Sequence, residues 1–129
     1  MKYLSYVQAT LTFLLISTAF SCGGEQEQKN EEMLLGKWEL QKASRNGQST
    51  ESLTDLYFEF FQEGKMRTNI SGLPESVNYE LDDNVIYQRE GQLDVDYNIE
   101  SITDSLLILT TKINDFNFNF VLAKAVQEE

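Results

Sequence analysis

The 129-residue sequence has no histidine, one cysteine and one proline. Without histidine it lacks the commonest general base near neutral pH and the commonest transition-metal ligand. A single cysteine excludes an internal disulfide and a thiolate zinc site. Cationic residues are scarce: 10 Lys and Arg stand against 21 Asp and Glu, a net charge of −11. That balance argues against nucleic acid and against an electrostatic grip on anionic lipid, and leaves a solvated acidic surface as its simplest meaning. There is no Gly-rich phosphate loop, no metal-ligand set and no nucleophile with a base beside it. These absences predict a non-enzyme with no cofactor and no metal. The length predicts one domain.

What is present begins with an apolar run. Lys2 supplies a short basic start, and Leu11 to Phe20 (LTFLLISTAF) is well below the roughly 20 apolar residues of a spanning helix. Ala19 and Ser21 are small residues just before Cys22. This arrangement resembles a bacterial lipoprotein signal of the relaxed Bacteroidetes type. Ala19 stands where the usual lipobox has leucine, and Phe20 where it has a small residue. The resemblance implies cleavage before Cys22, a diacylglyceryl thioether on its sulfur and acylation of its amine, as by palmitate. Ordinary secretion with a free thiol is the alternative.

On this reading residues 1–21 are a removed signal and residues 22–33 a lipidated cysteine followed by a flexible acidic tether (GGEQEQKNEEM). The tether has no aromatic or β-branched residue and too little apolar surface to fold. The protein is expected in the cell envelope, anchored to the outer membrane through its acyl chains and not through charge.

From Leu34 the texture changes to short alternating segments separated by turn signals. LLGKWEL places Leu34, Gly36, Trp38 and Leu40 on one face. After a polar loop (Ser44 to Ser52) comes DLYFEFF, with Leu56, Phe58 and Phe60 on one side. KMRTNI, VNYEL, VIYQR, QLDVDYNI, LLILTTK and FNFNFVLAKA follow. Leu93, Val95, Tyr97 and Ile99 alternate most cleanly, and Phe116, Phe118, Phe120 and Leu122 share a face. Asn117 and Asn119 alternate away from the phenylalanines, toward water or a partner. Eight strands, each burying one face, predict an all-β, antiparallel up-and-down barrel over residues 34–125, with a tail at 126–129. A two-sheet sandwich is the competing geometry.

The opening L-x-G-x-W-x-L, the aromatic strand with its Glu63-Gly64 turn, the segment I-x-x-I-T-D-S-L-L-I-L (Ile99 to Leu109) and the aromatic last strand together resemble the lipocalin-like domain of small Bacteroidetes lipoproteins. The resemblance implies an eight-stranded barrel with a lipid anchor. It also implies that Trp38, two residues after Gly36, closes the base of the barrel under a late cation. No arginine follows Arg89, so Lys124 takes that role here. Most relatives of this type have no assigned ligand.

Two readings of the barrel interior stand. Phe58, Phe60, Tyr79, Tyr87, Tyr97 and Phe118 line an apolar cavity that holds a small apolar or amphipathic molecule, with tyrosine hydroxyls orienting it. Alternatively these rings fill the barrel, and a monomeric interaction module presents loops or strand faces to another envelope protein. Ligand entry in the first reading would use rim loops at 44–52 and 71–76. Asp94 and Asp96 read as a solvated strand face, and Asp82-Asp83-Asn84 as a hairpin turn.

Overall fold

Asp83 and Asn84 both have positive φ, 50° and 64°, the backbone of a two-residue hairpin turn that Asp and Asn tolerate. The same device recurs at Asn114-Asp115 (φ 50° and 69°) and at Asn46-Gly47 (φ 52° and 81°). A two-residue turn fixes register at once, so these three turns decide which side chains face inward over six strands.

The computed structural model describes residues 29–126. Its strands are β1 (Gly36–Arg45), β2 (Gln48–Thr50), β3 (Tyr57–Phe61), β4 (Lys65–Thr68), β5 (Glu75–Asp82), β6 (Val85–Arg89), β7 (Val95–Ile102), β8 (Leu106–Ile113) and β9 (Phe116–Lys124). All pairings are antiparallel, in the order β2-β1-β3-β4-β5-β6-β7-β8-β9, and β1 also pairs with β9. That last pairing closes eight strands into a barrel and excludes the sandwich. β2 is an additional strand on the far end of β1.

β1 is longer than the sequence suggests. A bulge between Leu40 and Lys42 carries it past Trp38, so that Arg45 still pairs with Phe118. Bulges bend a strand and sharpen its twist, which lets one strand serve both β3 and β9. The expected polar loop at 44–52 is therefore mostly the hairpin of β1 and β2. Its signal was the Asn46-Gly47 dipeptide.

The base of the barrel holds the Asp83-Asn84 turn, Gly36 and Lys124; the opposite end, the mouth, holds the Asn46-Gly47 and Asn114-Asp115 turns. At the base, residues 29–34 are helical. Asn30 is buried there, and its Nδ2 donates to Asn84 Oδ1 at 2.7 Å. The expected tether thus includes residues that dock on the barrel, and Leu34 ends this helix instead of starting a strand. Cys22 and the expected signal segment lie outside the described residues.

Candidate functional site

The barrel interior is the first place to look for a site, and side chains occupy it. Trp38, Phe58, Tyr97 and Phe120 are fully buried, with Phe60 nearly so. Phe58 meets Tyr97 edge-on at 5.2 Å between centroids, and Phe60 meets Tyr79 the same way at 5.2 Å. Such edge-to-face contacts add to the gain from area burial. Phe58, Phe60, Tyr79 and Tyr97 therefore face inward, where they contact one another.

Gln88 is a buried polar residue with no exposed surface. Its Oε1 accepts from the Tyr97 hydroxyl at 2.7 Å. Burial, then the charge of Glu75, pushes the Tyr97 phenol far above its ordinary value. Tyr79 is also buried, but its hydroxyl has no hydrogen-bond partner among the described residues. Burial, then the charge of Glu31, pushes this phenol up to about 12. Both rings are neutral donors at any physiological pH.

Tyr87 does not join them. The turn after Asp82 pairs Tyr79 with Gln88 and Glu80 with Tyr87, so the inward positions of β6 are Ile86 and Gln88. Tyr87 lies on the outer wall, where the Arg89 guanidinium stands 5.4 Å from its ring centroid. Arg89 also pairs with Asp96 at 2.8 Å. Phe118 is half-buried at the mouth, stacked on Phe120 at 5.7 Å. Phe116 is 43% exposed, with Arg45 over its ring at 5.2 Å. Instead of an open entrance, Leu53, Ile70, Leu93, Ile113 and Phe118 pack against the core from that end.

The base is closed by a different set. Trp38 Nε1 donates to Leu34 O at 2.8 Å, and Lys124 Nζ stands 4.8 Å from the Trp38 ring centroid. Lys124 Nζ also donates to Met33 O at 3.3 Å. Gly36 has φ +116° and leaves room for the lysine stem.

The concavities lie outside the core. One of about 790 Å³ runs along β5 and β6 and is lined by Asn78, Glu80, Asp82, Tyr87, Arg89 and Glu90 among others. Asn78 and Glu90 in it are already engaged: Asn78 Oδ1 accepts from Lys65 Nζ at 2.6 Å, and Asn78 Nδ2 donates to Glu90. Two smaller depressions, about 380 and 420 Å³, meet on the outer wall of β8, β9 and β1. Among the described residues no group of three or more His, Cys, Asp or Glu is placed to hold a metal, and no helix is long and apolar enough to cross a membrane.

A closed eight-stranded barrel with a Gly-x-Trp first strand over a capped base has the lipocalin-like fold. Two crystal structures share it. One is a lipocalin-like protein from Bacteroides uniformis ATCC 8492, with a TM-score of 0.53 and 17% identity over 72% of this chain and 99% of that one. The other is an uncharacterized protein from Bacteroides eggerthii DSM 20697, with a TM-score of 0.50 and 18% identity over 71% of this chain and 99% of that one. No protein-family model and no curated protein matches the chain.

Proposed function

We propose that this chain is a lipid-anchored protein of the bacterial cell envelope whose filled barrel works as a non-catalytic interaction module. Of the two readings of the interior, packing favours the second. The observation that carries it is the core itself: Trp38, Phe58, Phe60, Tyr97, Phe120 and the Tyr97–Gln88 hydrogen bond occupy the space a small ligand would need. An eight-stranded barrel is just wide enough to be filled in this way. The working surface is then the outer wall or the ends.

Native mass spectrometry of residues 23–129 from a bacterial host tests this reading. The expected result is the bare chain mass, unchanged by a mixture of fatty acids and sterols. A reproducible extra mass that vanishes on denaturation would return the small-ligand reading to first place.

A further inference from the structure

Two residues of helix 29–34 are buried, Asn30 and Leu34. Four positions apart, they form its inward face. Leu34 has no exposed surface, and its carbonyl accepts from Trp38 Nε1 at 2.8 Å. The other inward position carries an amide, bonded to Asn84, where a permanently seated helix would bury a second apolar side chain. A helix this short has little stability of its own, so it is helical only while docked. Its packing along β7 is incomplete. A depression of about 280 Å³ lies between Lys29, Asn30 and Met33 of the helix and Asn84, Ile99 and Ile102 of the barrel.

Beneath it stands the Tyr79 hydroxyl, buried and accepted by no described residue. The ring belongs to the base end: it meets Phe60, whose strand partner is Gly36, and a Cβ on Gly64 would stand 2.9 Å from Tyr79 O. After burial, the group that acts on this phenol is Glu31, on the exposed side of the helix. Tyr97 is the contrast within the same core. Its hydroxyl is bonded to Gln88, which reaches Leu93 O at the mouth.

We propose that helix 29–34 is a releasable cap on the barrel: it pivots at Leu34, is held shut through Asn30 and Asn84, and is biased toward opening by the Tyr79 hydroxyl, which closure leaves without a partner. Opening admits water to that hydroxyl and restores the hydrogen bond that burial removed. Release strands no other group. Asn30 and Asn84 pass to water, and Lys124 gives up a long contact to Met33 O, 3.3 Å, while keeping the Trp38 ring. The cap goes beyond the reading of the barrel as an interaction module and does not depend on it, because a cap can open on a filled barrel.

The test joins amide hydrogen exchange to acetylation of tyrosine hydroxyls by N-acetylimidazole, read by peptide mass in the full-length protein. Amides of helix 29–34 should exchange through a local opening, ahead of those in β5 to β9. Tyr79→Phe, which lightens the closed state alone, should slow the helix amides by roughly fivefold or more. Tyr97→Phe should not slow them. In wild type Tyr79 should be acetylated roughly tenfold faster than Tyr97, and Asn84→Gly should raise the Tyr79 rate further while leaving Tyr97 unchanged. Helix amides that exchange at the rate of the strands, helix exchange unmoved by Tyr79→Phe, or acetylation of Tyr79 no faster than Tyr97 would each overturn the proposal. None of these results bears on whether the barrel is filled, which native mass decides separately.

Discussion

Lys124 lies across the Trp38 ring, its Nζ 4.8 Å from the centroid, and the same ammonium donates to Met33 O at 3.3 Å. One side chain of the last strand thus ties the first strand to the helix over the base. Gly36 makes the approach possible: a Cβ there would stand 2.8 Å from Lys124 Cε, and its φ of +116° is strained for any L side chain. Gly36→Ala should therefore destabilise the protein by about 1–3 kcal/mol. Lys124→Met, which keeps the stem and drops the charge, should cost about 0.5–2 kcal/mol. Trp38→Ala, which empties a buried aromatic site, should cost about 3–5 kcal/mol. Urea unfolding measures all three. An unchanged midpoint for Gly36→Ala would mean that neither the backbone at Gly36 nor the approach of Lys124 constrains the base.

The two buried tyrosines make a paired prediction of opposite sign. Tyr97→Phe deprives Gln88 Oε1 of its donor in a fully buried site, and an orphaned buried acceptor costs about 1–3 kcal/mol. Tyr79→Phe removes a hydroxyl that has no described partner, so it should be neutral or stabilising by about 1 kcal/mol. If both substitutions destabilise equally, Tyr79 has a partner in solution that this reading omits.

Much of this architecture was legible in alternation alone. Val77-Tyr79-Leu81, Val95-Tyr97 and Leu107-Leu109 each reach the core because one face of each strand must be dry. Tyr87 was misassigned for a physical reason: in Val-Ile-Tyr-Gln-Arg, hydrophobicity points Val85 and Tyr87 inward as readily as Ile86. Register breaks the tie, since Asp83-Asn84 fixes Asp82 opposite Val85, and the buried glutamine is rescued by Tyr97. β2 was missed because Gln48-Ser49-Thr50 has no apolar residue to betray a strand. Helix 29–34 was missed because its burial depends on Asn84 and Trp38, far away in sequence.

Asn84 serves two purposes that one substitution separates. Its backbone makes the hairpin turn, and its side chain accepts from Asn30. Asn84→Gly keeps a residue suited to positive φ and removes the acceptor. The β5–β6 hairpin should stay intact while helix 29–34 loosens, at a cost of about 0.5–1.5 kcal/mol. Amide hydrogen exchange reads both at once: faster exchange at 29–34 and unchanged protection in β5 and β6. Equal loosening of the hairpin would show that the side chain supports the turn itself.

Alkali should unfold this protein earlier than its acidic composition suggests. Tyr79 and Tyr97 have folded pKa values raised above the ordinary 10.0, chiefly by burial, with Tyr79 at about 12. Between those limits the unfolded chain gives up phenol protons that the folded chain keeps, so the unfolded state binds fewer protons and stability falls as pH rises. The contribution of both rings is complete below pH 10 and is lost on climbing past it, for Tyr79 through about 12. For fully buried Tyr97 the loss is about 1.4 kcal/mol per pH unit. Urea midpoints should hold from about pH 9 to about pH 10 and fall from there to about pH 11, and Tyr97→Phe should flatten that limb while lowering the neutral-pH midpoint. A wild-type midpoint that stays level across this window would mean that Tyr97 ionises in place, which its burial against Phe58 and Gln88 forbids.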